Sequence, residues 1–136
     1  MCIRDRTTDL QPISEIDRER ILATARDYIE SWLHGDPDRM ARALHPELVK
    51  RRVQPDGPAA GTLIGTTRDE MVAATAEGVG TRLARPYEAS IMDAYGDVAS
   101  VRVLSAAYMD YLHIARFGSE WKIVNVLWQR RPIPPA

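Results

Sequence analysis

In the segment AYMDYLHIARF, Ala107 to Phe117, an acid stands where an alternating strand pattern wants a core residue. Tyr108, Leu112 and Ile114 share one side of the alternation, and Asp110 falls with them. Burial disfavours the charged form of a carboxyl group and lifts its pKa above the usual value of about 3.9. Neutral, such a group donates a hydrogen bond to a carbonyl or enolate oxygen. Ionised and paired with a cation, it acts as a base. The structural alternative is that Asp110 satisfies donors inside the fold. A buried carboxylate needs a partner in either case.

Other side chains offer the rest of a site. Tyr28 and Trp32 form the aromatic part of a helical stripe, where core packing and pocket lining are equally good explanations. Tyr108, Leu112 and Trp128 can shape a cavity beside Asp110. His45 titrates near neutrality and can serve as a base, although a histidine closing a helix also interacts with free carbonyls. Arg52 can pair with Asp110 or hold an anionic ligand, while an exposed strand edge is its ordinary use. His34, His45 and His113 are dispersed, without H-x-H or H-E-x-x-H spacing, so no metal site is expected. No serine nucleophile motif, phosphate loop or dinucleotide fingerprint is present, and no cofactor is expected.

These residues must be positioned by helices first and strands afterwards. Ser14 and Asp17 predict a capped start to a helix running to about His34, with Ile21, Ala25, Tyr28 and Trp32 on one face. Gly35 stops it, and Asp36-Pro37 opens a second helix to about Leu44. His45-Pro46 ends that helix. Glu47 to Val53 is a strand or extended turn, and Gln54 to Gly65 a loop. Thr66 or Thr67 caps a third helix that runs to Glu77, before Gly78. After a linker over Gly80 to Pro86 come four strands: Tyr87–Ala94, Val98–Ser105, Ala107–Arg116 and Trp121–Arg130. Short turns between them imply an antiparallel meander.

The expected fold is therefore α+β, with three N-terminal helices packed in the concave face of a curved antiparallel sheet. The inward sheet face of this cone looks at Tyr28 and Trp32. A three-residue loop, Gly118 to Glu120, puts Val124, Val126 and Trp128 on the inner face with Asp110, Leu112 and Ile114, and sends Trp121 outward. A two- or four-residue loop reverses that parity.

The 136 residues make one domain, at 14–132. Residues 1–13 are a disordered or non-native leader, since MCIRDR looks like the leader of a conceptual translation of environmental reads; residues 133–136 are a tail. With 45% hydrophobic and 27% charged residues, the composition is that of an ordinary globular domain. A net charge of −1 provides no field for nucleic acid or anionic membrane. The run Lys50-Arg51-Arg52 is too short for a nucleic-acid footprint and is best explained as a solvated strand end. One cysteine excludes an internal disulfide. No membrane span or signal peptide is visible, which makes a cytoplasmic location the default.

Two stretches resemble a known family. YIESWLHGDPDRMARALHPEL, Tyr28 to Leu48, resembles the opening of the nuclear transport factor 2-like superfamily, and DYLHIARFGSEWKIVNVLW, Asp110 to Trp128, resembles its last hairpin. The combination of W-x-x-G-D, ALHPELVKR, DYL and WKIVN is most similar to a branch named for lumazine binding, a name that assigns no ligand here. The resemblance implies the cone fold, and the superfamily carries isomerases, dehydratases, cyclases, epoxide hydrolases and plain binding modules. In its ketosteroid isomerases a tyrosine lies seven residues before a Gly-Asp step, which Tyr28 matches. Those enzymes also keep a protonated acid on the penultimate strand, matched by Asp110. Their general-base position falls on Arg52, or Arg51 in a slipped register, so that chemistry does not transfer. The epoxide hydrolase triad is absent too, with Tyr108 and Trp128 where an arginine and a second acid are needed.

The resulting expectation is a pocket for a small apolar or aromatic molecule. Asp110, Tyr28 and His45 would perform cofactor-independent acid–base chemistry of the isomerase, dehydratase or cyclase type on a carbonyl compound. Trp32, Tyr108, Leu112, Trp128 and Arg52 would hold the substrate. The alternative is a non-catalytic binding or dimerisation module, a homodimer formed through the outer sheet face at Tyr111, His113 and Ala115.

Overall fold

The computed structural model describes residues 13–132; the expected leader through residue 12 and the tail at 133–136 lie outside the described residues. Ile13, the last residue of the expected leader, packs against the core.

Local signals set the helices. Helix α1, Glu15–His34, is capped by the Ser14 side chain accepting from the Asp17 amide, and ends at Gly35, whose φ of 69° suits a residue without a β-carbon. Helix α2, Pro37–Ala43, has Asp36 as cap and proline in its first turn. Helix α3, Arg68–Ala76, begins with a reciprocal capping box between Thr67 and Glu70.

The strands are β1, Leu44–Val53; β2, Leu63–Thr66; β3, Tyr87–Tyr95; β4, Val98–Ser105; β5, Tyr108–Phe117; and β6, Glu120–Arg130. They form one unclosed sheet in the order β2-β1-β6-β5-β4-β3. Strands β3 to β6 are the expected antiparallel meander, while β1 joins β6 in parallel. Helix α1 packs on β3, β4 and β6, and α3 packs on β1. The core between helices and sheet gathers Ile21, Ile29, Leu33, Val101, Leu112 and Ile123. Among the described residues, no helix is long and apolar enough to cross a membrane.

Three expectations need correction. Residues Leu63–Thr66, expected within a loop, form the edge strand β2, because Lys50 to Val53 offers them an open edge to pair with. The strand β1 begins at Leu44, so His45 is a strand residue and not a helix terminus. The β5–β6 turn has two residues, Gly118 and Ser119, with Phe117 facing Glu120. That parity buries Trp121, which packs in the core instead of facing outward. The register then shifts between the pairs Ile114–Ile123 and His113–Asn125, leaving Val124 unpaired. This bulge cancels the effect of the shorter turn. Asp110 therefore faces Trp128 as expected, while Val124 lies beside His113 and Ala115 on the outer face.

Candidate functional site

Strand alternation on three elements builds the site. Asp110 of β5 pairs with Val103 on one side and Trp128 on the other, and all three turn toward the helices. On β1, Leu48, Lys50 and Arg52 alternate inward, with Lys50 paired to Val126. Tyr28 comes down from α1. Between them lies a cavity of about 240 Å³, lined by Tyr28, Trp32, Lys50, Met71, Tyr108, Asp110 and Trp128 among others. It is smaller than the roughly 300–1,000 Å³ of drug-sized ligand sites, and its wall is mainly apolar.

The polar groups of this wall form a chain. Lys50 Nζ donates to the Tyr28 hydroxyl oxygen at 2.8 Å, and that hydroxyl donates to Asp110 Oδ1 at 3.2 Å. Lys50 Nζ also lies 3.5 Å from Met71 Sδ. All three groups are removed from solvent: Asp110 is 2% exposed, Tyr28 3% and Lys50 9%. Asp110 is held above the usual carboxylate range, first by burial; Lys50 and the Tyr28 hydrogen bond oppose that shift. Lys50 is held below the usual lysine range by burial, against the attraction of Asp110. Tyr28 is pushed well up, by burial first and then by the neighbouring Asp110.

Aromatic faces surround the amine. Its nitrogen lies 5.2 Å from the Tyr28 ring centroid, 5.8 Å from that of Trp32 and 5.2 Å from that of Trp128. Each such contact stabilises an ammonium by about 0.5–2 kcal/mol. Taking an ion out of water costs several kcal/mol. Desolvation is the larger effect, in keeping with the lowered lysine pKa. Tyr108 meets Trp128 edge to face, with centroids 5.3 Å apart. Trp32 is wedged by Gly80, where a β-carbon would stand 2.5 Å from its Cδ1 and Nε1. Only glycine leaves room for that indole against the cavity.

The structure brings together Asp110, Tyr28, Trp32, Tyr108 and Trp128 from the expected set. Leu112 points inward but is wholly buried in the core and does not line the cavity. Arg52 stacks over the Trp128 ring at 5.6 Å, outside the cavity, with Val53, Pro55 and Gln129 around it. His45 is remote from the cavity: it stacks on Phe117 at 4.7 Å, and its Nδ1 accepts from the Glu47 amide. Lys50 was the residue missed. Its neighbours Arg51 and Arg52 suggested a solvated run, yet Lys50 alternates with Leu48. It is also one of only two lysines, with Lys122, among 18 lysine and arginine residues. Among the described residues, no group of three or more His, Cys, Asp or Glu side chains could hold a metal ion.

The sequence profile of the family described as "Putative lumazine-binding" matches residues 16–129. The chain belongs to that family. No curated protein is significantly similar to this chain. Solved structures share its fold. An NTF2-like protein of unknown function from Silicibacter pomeroyi superimposes with a TM-score of 0.69 at 17% identity, covering 88% of this chain and 100% of the other. Another, from Shewanella baltica, gives 0.67 at 17% identity, with 90% and 99% covered. A ketosteroid isomerase-like protein from Erwinia carotovora gives 0.58 at 14% identity, with 88% and 99% covered. At these identities the likeness establishes the NTF2-like fold.

Proposed function

We propose that the cavity binds a small, largely apolar or aromatic carbonyl compound and moves protons on it by acid–base chemistry. The observation that carries this reading is the Lys50–Tyr28–Asp110 chain set in an otherwise apolar, aromatic wall. The isomerase-type base position is filled by arginine, so the roles differ from those in ketosteroid isomerases. The Lys50 ammonium receives the carbonyl oxygen, and Asp110 takes the proton from the adjacent carbon. Tyr28 couples the two. Trp32, Tyr108 and Trp128 hold the ring of the ligand between flat faces. His45, Leu112 and Arg52 have no part in this scheme.

Deuterium exchange tests it. Incubated in deuterated water with 2-tetralone or 1-indanone, the wild-type protein should speed exchange at the carbon next to the carbonyl, and Asp110→Asn and Lys50→Met should not. Quenching of tryptophan fluorescence reports binding independently. A panel of aromatic ketones and aldehydes that neither quenches nor exchanges would overturn the reading.

An apolar patch on the outer sheet face favours a second reading, that of a homodimerising module. Tyr111 and Leu127, directly paired across β5 and β6, are 44% and 49% exposed. Sedimentation of wild type and a Tyr111→Glu, Leu127→Glu variant tests it. A monomeric wild type would exclude it.

A further inference from the structure

We propose that Lys50 is a nucleophile, condensing with an aldehyde or ketone in the cavity to form an imine. The inference rests on the carbonyl-pocket reading above and adds a covalent step to it.

The geometry supplies what the step needs. An ammonium has no lone pair, so the amine must first lose a proton while sealed from water. The chain provides the route. One proton passes from Lys50 Nζ to the Tyr28 oxygen over 2.8 Å, and the tyrosine's own proton passes to Asp110 over 3.2 Å. The result is a neutral amine, an unchanged phenol and a neutral acid, with no base drawn from solvent. Burial acts on both ends in the same direction, since it disfavours the ammonium and the carboxylate alike. The three rings around Nζ act in the opposite sense and favour the ammonium.

The condensation then balances. The Lys50 nitrogen attacks the carbonyl carbon, and the C=O electron pair moves to oxygen, which takes the proton of Asp110. Nitrogen returns its surplus proton to the Asp110 carboxylate. The hydroxyl group leaves as water with that proton while the nitrogen lone pair closes the C=N bond. A protonated imine remains opposite the Asp110 carboxylate, so the initial charge pair is restored. The iminium also acidifies the neighbouring C–H, and Asp110 is the base at hand.

Residue type points the same way. The chain uses arginine almost everywhere it needs a cation, and arginine cannot lose its proton in a protein. Lys50 and Lys122 are the only lysines. Lys122 is tied at the surface, with Nζ on the Arg42 carbonyl oxygen at 2.6 Å and Glu120 at 3.9 Å. The lysine lining the cavity is thus the one that could gain a reactive amine from its surroundings.

Two lysines make the experiment self-controlled. The protein is incubated with benzaldehyde near pH 7, reduced with borohydride, and mapped by peptide mass spectrometry. Lys50 should carry the benzyl group at least about tenfold faster than Lys122, because its buried place in the chain favours the neutral, nucleophilic amine. Tyr28→Phe, which breaks the proton route, should slow labelling of Lys50 and leave Lys122 unchanged. Equal labelling of the two lysines, or an unlabelled Lys50, overturns the inference even where benzaldehyde quenches tryptophan fluorescence; the carbonyl-pocket reading then survives. Neither quenching nor labelling across a panel of aldehydes overturns both. The wild-type comparison needs no variant, so it stands if Tyr28→Phe is unstable.

Discussion

Helix α1 serves two groups of cation, phenol and carboxylate, and the two behave in opposite ways. The inner group is Lys50, Tyr28 and Asp110. The outer one is Arg39, Tyr87 and Glu30, with Asp27 beside it; Arg39 bonds Asp27 and Glu30 at 2.7 Å each, and the Tyr87 hydroxyl donates to Glu30. The outer side chains keep about a quarter of their surface in water, between 24% and 31% for the ion pairs. There the hydrogen bond from Tyr87 pulls the Glu30 pKa down. Burial alone would lower Arg39, yet its bonds to Asp27 and Glu30 outweigh that and raise it. Tyr87 is lifted to about 12, by burial and then by Glu30. Contact with water lets pairing dominate, and charge is locked in. Without water, desolvation dominates, and Lys50 and Asp110 are both pushed toward neutrality. The outer clamp and the proposed proton-transfer site thus differ in hydration and in their cation, arginine in one and lysine in the other.

The largest effect should come from breaking the inner group on one side. Asp110→Ala leaves Lys50 buried without its counterion and should cost about 3 kcal/mol at pH 7 in a denaturant titration. Its pH dependence carries a sign. The folded-state pKa of Lys50 lies below 10.5, so between the two values the unfolded chain binds more protons and stability rises with pH. The variant should therefore recover as pH is raised toward 10. A loss that stays constant with pH would show that Lys50 escapes to solvent. Next comes Arg39→Ala, which removes two ion pairs about a quarter exposed and should cost about 1 kcal/mol. That loss should shrink in high salt, whereas the loss from Asp110→Ala should not. The smallest effect should follow removal of both inner charges at once. Lys50→Met with Tyr28→Phe and Asp110→Leu should leave stability within about 1 kcal/mol of wild type, because neither a charge nor an unpaired hydroxyl is left buried. A cost as large as that of Asp110→Ala alone would mean that the pair stabilises the fold.

What the sequence disclosed follows the same divide between local and distant causes. The caps at Ser14, Asp36 and Thr67 act within four residues, and each was legible. Asp110 was legible because a single acid interrupts an otherwise apolar alternation. Lys50 was hidden, since its two arginine neighbours mask the alternation with Leu48 and only the pairing with β6 turns it inward. The strand β2 could not be found locally, because its partner on β1 alone makes Leu63–Thr66 extended. The turn length and the Val124 bulge shift parity in opposite directions, so Trp128 was placed correctly while Trp121 and Val124 were not. Leu112 faces the right way but at a level where the cone is filled by core. His45 was misjudged because β1 begins one residue before it.

The parallel pairing of β1 with β6 also bears on how the molecule is born. Strand β1 is made early in the order of synthesis, but its parallel neighbour β6 is the last of the six described strands to be made. Such a distant partnership is slow to form. Until it does, the Lys50 side chain lacks Trp128 and Val126 beside it and stays more hydrated. The proposed lysine chemistry would therefore begin only once β6 has docked beside β1.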